Sequence, residues 1–122
     1  MAATVYGIKN CDTMKKARAW LDACGVAYAF HDYKIAGIKV GVLEAWAREV
    51  GWETLLNRSG TTYRKLPEKD KVDLTERRAI ALMSELPSLI KRPVLDVGGR
   101  LIVGFKPEIY ERLLRQDADV SK

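Results

Sequence analysis

With 122 residues, 48% of them hydrophobic and 30% charged, the chain has the size and balance of one soluble domain, and no apolar run reaches the ~20 residues that span a bilayer. Its net charge of +5, from 21 basic and 16 acidic residues, suits anionic partners. Acidic residues nevertheless interrupt the basic runs, as in Glu68-Lys69-Asp70-Lys71, which speaks against a reader of the nucleic-acid backbone. Residues Met1 to Tyr6 lack the basic segment, apolar stretch and cleavage site of an export signal, so a cytoplasmic location is expected.

The β-prone Thr4, Val5 and Tyr6 end at Gly7 and predict a short strand followed by a loop over Ile8, Lys9 and Asn10. Asp12 and Thr13 offer capping oxygens to a helix in which Met14, Ala17, Leu21 and Cys24 recur at helical spacing until Gly25 stops it. A second strand over Ala27 to Phe30 or His31 completes a β-α-β unit, whose strands are then parallel. From Gly41 to Glu85 the pattern is helical, with Val42, Leu43, Trp46 and Val50 on one face and Ala79, Ile80, Met83 and Leu86 on another, while the charged stretch from Thr61 to Thr75 reads as a solvated loop and helix start.

After Pro87, the strand-like runs Val94 to Val97 and Arg100 to Val103 flank Gly98 and Gly99, the signal of a tight β-hairpin. A last helix from Pro107 to about Arg115 turns Ile109, Leu113 and Leu114 inward, ahead of a polar tail expected to fray from Asp117 to Lys122. The order β-α-β, helices, β-β-α predicts an α/β, thioredoxin-like fold: a mixed four-stranded sheet with an inserted helical subdomain. In residue terms this is a single domain with a core over 3–34 and 87–115, an insertion over 38–86 and a tail over 116–122.

Cys11 and Cys24 fall at the two ends of the first predicted helix, about 20 Å apart at ~1.5 Å per residue, too far for a disulfide. Cys11, between a strand and the first turn of a helix, faces unpaired backbone N–H groups and the positive end of the helix dipole, both of which favour its thiolate. Lys9, Lys15 and Lys16 add positive charge and Asp12 opposes it. Cys24 reads as core packing, and the single histidine, His31, as structural. These residues have no spacing that would hold a metal.

The segment Tyr6-Gly-Ile-Lys-Asn-Cys11-Asp-Thr-Met-Lys-Lys16, with Lys91-Arg92-Pro93-Val94 and Gly104-Phe105-Lys106-Pro107 downstream, resembles the arsenate reductase (ArsC) family. It is most similar to the YffB-like branch, with the Spx regulators as relatives, and the likeness extends from about residue 4 to 115. The resemblance implies that Cys11 is the catalytic cysteine, that Arg92 and Arg58 are anion-binding arginines, and that Pro93 follows a cis peptide bond. Lys9, Asn10, Thr13, Arg58, Arg92, Pro93 and Lys106 together form the expected binding set for substrate or glutathione.

The chain also departs from that family's pattern. Lys106 stands where a third arginine is usual, and Gly7 and Met14 where the arsenate reductases carry a histidine and a serine. Met14 occupies the position of the second thiol in a Cys-x-x-Cys pair, so a mixed disulfide on Cys11 must be released by an outside thiol. The expected activity is therefore that of a glutathione-dependent thiol oxidoreductase with a monothiol mechanism. Glutathione serves as co-substrate without any bound cofactor, and the substrate is a small oxyanion or an oxidised thiol. The alternatives are arsenate reduction with glutathione and glutaredoxin, and an Spx-like regulator binding RNA polymerase.

Overall fold

The computed structural model describes residues 3–9 and 11–120, with side chains through Leu114. The first strand, β1 (Ala3–Gly7), leads through a short loop into α1 (Asp12–Ala23) and back through β2 (Ala29–Asp32). In α1 the residues Met14, Ala17 and Leu21 are buried on one stripe, as an amphipathic helix requires. The helix closes through a pair of reversed hydrogen bonds, Gly25 N–H to the Asp22 carbonyl at 3.1 Å and Val26 N–H to the Leu21 carbonyl at 3.0 Å, with Gly25 at φ +71°. This C-terminal motif needs a left-handed residue, and glycine takes that conformation without penalty.

The second half of the sheet is the hairpin of β3 (Val94–Val97) and β4 (Arg100–Val103). Gly98 at φ 58° and Gly99 at φ 90° give the primed turn that matches strand twist, and the Asp96 carboxylate accepts the Gly99 N–H at 2.9 Å. Strand order is β2-β1-β3-β4; β1 is parallel to β2 and antiparallel to β3, with Val5 opposite both Phe30 and Leu95. The last helix, α7 (Pro107–Val120), packs with α1 on one sheet face, where Ala3, Val5, Leu95, Val97 and Ile102 form a core with Met14, Leu21, Tyr110 and Leu113. The other face presents the half-buried Tyr6 and His31, their rings 5.1 Å apart.

By contacts the chain falls into two compact units, one holding the segments up to Asp32 and from Arg92 on, the other running from Tyr33 to Lys91. The second unit contains α2 (Tyr33–Ala36), α3 (Val40–Val50), α4 (Trp52–Leu55), α5 (Thr61–Arg64) and α6 (Glu76–Glu85), with 3-10 turns at Glu68–Asp70 and Pro87–Leu89. Leu43, Trp46 and Ala47 of α3 and Ala79, Ile80, Leu82 and Met83 of α6 are buried. The Thr75 hydroxyl caps α6 by accepting the Arg78 N–H at 3.3 Å.

Several sequence expectations are corrected. The second strand starts two residues late, at Ala29. The continuous helical pattern is broken at Gly51, which sits at φ 87°. The stretch expected as solvated loop contains α5 and a 3-10 turn, tied down by Arg78 to Asp70 at 2.9 Å. Leu86, expected inward, is 38% exposed, because α6 ends one residue before it. Among the described side chains of α7, Tyr110 is the fully buried one, in edge contact with Trp20 and Phe105. That helix continues to Val120 across residues with no glycine or proline to stop it, instead of fraying from Asp117; Ser121 and Lys122 lie outside the described residues.

Cys24 is exposed and not packed in the core: it is the residue at which α1 terminates, and Val26, folded back by the closing motif, packs against the core instead. Leu21→Ala should therefore cost about 2–5 kcal/mol in urea denaturation, whereas Cys24→Ser should stay within about 0.5 kcal/mol of the parent.

Candidate active site

Strand register brings the candidate residues of the sheet unit to one end of the sheet. Tyr6, one residue before the end of β1, pairs with Val94 at the start of β3, and Val94 pairs with Val103 at the end of β4. Three segments thus converge there: the loop from β1 to Cys11, the Arg92-Pro93 step that precedes β3, and Gly104 to Lys106 after β4. The Gly104 N–H donates to the Pro93 carbonyl at 2.8 Å, with Gly104 at φ 88°. This bond joins the two downstream motifs that were separate in sequence. The Arg92-Pro93 peptide is cis.

Cys11 is the N-cap residue of α1, in extended conformation at φ −128° and ψ 131°, so its side chain stands at the mouth of the first turn. Burial pushes the Cys11 thiol up. The Met14 and Thr13 N–H groups and the Arg92 guanidinium face the sulfur and favour its thiolate, and the Arg92 charge adds to them, so that the thiol comes to rest below its ordinary value. The donors are the orphan amides of a helix start and a cation beside an anion, each of which favours the charged form. The thiol is half-buried, open on one side to a reactant.

Thr13 acts through its backbone N–H; no side-chain cap is formed at this helix start, which corrects the expectation that Asp12 or Thr13 supplies a capping oxygen. Lys9 is exposed, its N–H donating to the Asp32 carboxylate at 3.4 Å. Lys106 is exposed and its carbonyl starts α7, accepting the N–H groups of Ile109 at 3.0 Å and Tyr110 at 2.9 Å. Pro93 is buried. Asn10 lies outside the described residues. Arg58 belongs to the helical unit, where its guanidinium lies 5.9 Å over the Trp52 ring.

Sequence reasoning missed the part Met14 plays. It appeared there only as the residue that is not a second thiol, yet its N–H is the leading contact that lowers the Cys11 thiol. The signal was available, since the amide three residues past an N-cap is the one that a capping group accepts.

The helical unit has a groove of about 570 Å³ between α3 and α6, lined by Val40, Glu44, Arg48, Glu76, Arg77 and Ile80. It has no thiol and no buried polar side chain.

Residues 6–113 match the ArsC family. Among solved structures, a protein named YFFB is 59% identical, covers 91% of this chain and 97% of its own, and superposes with a TM-score of 0.88. An arsenate reductase (ArsC) related protein from Brucella melitensis is 54% identical, with 92% and 93% coverage and a TM-score of 0.75. The global transcriptional regulator Spx of Enterococcus faecalis is 28% identical over 116 residues, covering 93% of this chain and 87% of its own.

The lowered Cys11 thiol has a consequence for stability with a defined sign. A group whose value is depressed by folding stabilises the native state above its unfolded value and loses that contribution as pH falls through the folded one. Under reducing conditions, the stability advantage of the parent over Cys11→Ser should grow as pH rises toward the ordinary thiol value of about 8.5. Arg92→Ala should flatten that rise.

Proposed function

This chain belongs to the ArsC family, and from that premise we propose that it is a glutathione-dependent thiol oxidoreductase working by a monothiol mechanism, with Cys11 as nucleophile. The observation that carries this reading is the Cys11 sulfur at the N-cap of α1, faced by the Met14 and Thr13 N–H groups and the Arg92 guanidinium, with a methionine at position 14. The other cysteine, Cys24, is at the far end of the same helix.

In the first step the Cys11 thiolate attacks the glutathione sulfur of a mixed disulfide. A bond forms between Cys11 and that sulfur, the original S–S bond breaks, and the substrate leaves as a thiolate that takes a proton from water. In the second step the thiolate of another glutathione attacks the glutathionyl sulfur on Cys11. Oxidised glutathione departs and the Cys11 thiolate is restored. The net exchange consumes one glutathione thiol for each substrate thiol released; the glutathionyl sulfur brought by the substrate stays at the disulfide level throughout and leaves in oxidised glutathione. Arg92 holds the charge of Cys11 when it leaves and draws the peptide carboxylates of glutathione to the site. Lys106 adds a second positive charge to that end of the sheet. Thioredoxin-like folds and anion-binding arginines suit this chemistry.

Arsenate reduction is the second reading, favoured by Arg92 beside the thiolate, since a guanidinium serves a tetrahedral oxyanion as well as a carboxylate. The two readings separate in one assay. With reduced glutathione and glutathione reductase, NADPH consumption should follow addition of a glutathionylated peptide, and arsenate, supplied together with glutaredoxin, should give no comparable turnover; the reverse result would establish the second reading.

Incubation with oxidised glutathione should add one glutathionyl group by intact mass, kept in Cys24→Ser and lost in Cys11→Ser. Arg92→Ala should slow turnover about tenfold to a hundredfold, the scale of one hydrogen bond to a charged group. A chain that takes up no glutathione at Cys11 would sink the proposal.

A further inference from the structure

We propose that Gly7 is a positioning residue for Cys11, acting through the side chain of Met14, so that the strand end and the helix start form one steric pair. The idea deepens the reading of Cys11 as the reacting thiolate and rests on it.

Gly7 is the last residue of β1, buried, and paired with Asp32 of β2. Its backbone is outside the left-handed region, in contrast to six other glycines of the chain, so conformation does not require glycine at this position. Space does. A Cβ at Gly7 would lie 2.3 Å from the Met14 sulfur, 2.7 Å from its Cε and 3.2 Å from its Cγ. The first two separations are well inside van der Waals contact, and the third leaves the stem of the side chain no slack.

Met14 is fully buried, among the same core residues as Ala17 and Leu21. A methionine end can swing aside where there is room, but a close-packed interior gives little. A side chain at position 7 therefore pushes on residue 14 as a whole, including the N–H that stands in the first turn of α1 and faces the Cys11 sulfur. Hydrogen bonds weaken steeply with angle and length, so a shift of a few tenths of an ångström in the first turn reaches the sulfur. Neither Gly7 nor the Met14 side chain needs to touch a substrate for this. The bare Cα of Gly7 leaves the thioether its room, and with that room the first turn of α1 presents its amides undisturbed.

The test is the pH profile of Cys11 alkylation by iodoacetamide, in a Cys24→Ser background so that one thiol reacts. It uses the parent, Gly7→Ala, Met14→Ala and the double variant, with circular dichroism as the check on folding. Gly7→Ala should move the profile to higher pH and slow alkylation at neutral pH about three- to tenfold. Met14→Ala keeps its N–H and should lose stability while keeping the parent profile. The double variant should return to the Met14→Ala profile, because the obstruction is gone; a merely structural role for Gly7 would not produce that recovery.

A Gly7→Ala profile equal to the parent's, or a double variant as displaced as Gly7→Ala alone, overturns the proposal. If Gly7→Ala does not fold, the double variant decides: folding with the Met14→Ala profile supports the steric pair, and failure to fold overturns it. A parent profile at the ordinary thiol value overturns the reading of Cys11 itself, and the proposal with it. A low parent profile that Gly7→Ala leaves unmoved removes the proposal alone.

Discussion

A sulfur held half in the protein is pulled in two directions. Losing water penalises the thiolate, and here that penalty is the largest single influence on Cys11. Three donors from two distant parts of the sequence have to outweigh it: amides of the first turn of α1, and a guanidinium some eighty residues later in the chain. None is strong alone, because a helix end contributes roughly 0.3–1 kcal/mol and an exposed charge pair little more. Their convergence on one atom makes the site. The sheet is the device that produces it, since pairing β1 with β3 in opposite directions is what places Arg92 next to the loop that ends at Cys11.

The local chemistry also explains why the cysteine stands alone. A second thiol at position 14 would have to take the place of a side chain that is fully buried and seated over Gly7. With methionine there, the interior of the fold is complete without redox chemistry, and oxidation and reduction of Cys11 need not disturb the core. On the proposed monothiol reading, a mixed disulfide on Cys11 would be resolved from solution, where the half-exposed sulfur is reachable.

Much of this could be read from the residues, and the successes and failures divide by mechanism. The hairpin emerged with its residue limits intact because Gly98-Gly99 carries its own backbone geometry. Cys11 was legible because a strand, a loop and a helix start are local features. Cys24 was misjudged for a reason that no periodicity contains: its phase is apolar, but the helix closes at that residue and Val26 takes the inward place. Tyr110 went unseen because its burial depends on Trp20 and Phe105 meeting it from other segments. The contact between Gly7 and Met14 was likewise out of reach, since a glycine in sequence shows only that a side chain is missing and not what fills its place.

The helical unit is closed upon itself at its own ends. The hydroxyl of Tyr33, its first residue, donates to the carbonyl of Ile90 at 3.0 Å and leans toward that of Lys91, its last, at 3.5 Å; Tyr33 is fully buried. Two further strands of backbone are stitched there, Asn57 to Leu89 and Lys91 to Leu55, each at 2.7 Å. A segment clasped in this way is a loop whose closing entropy is met from within. The sheet receives the chain back one residue before Pro93, at Arg92, whatever length of helix lies inside the clasp. A change of length inside the clasp would leave the two ends joined as they are, and the chain would still re-enter the sheet at the guanidinium on which the thiolate depends.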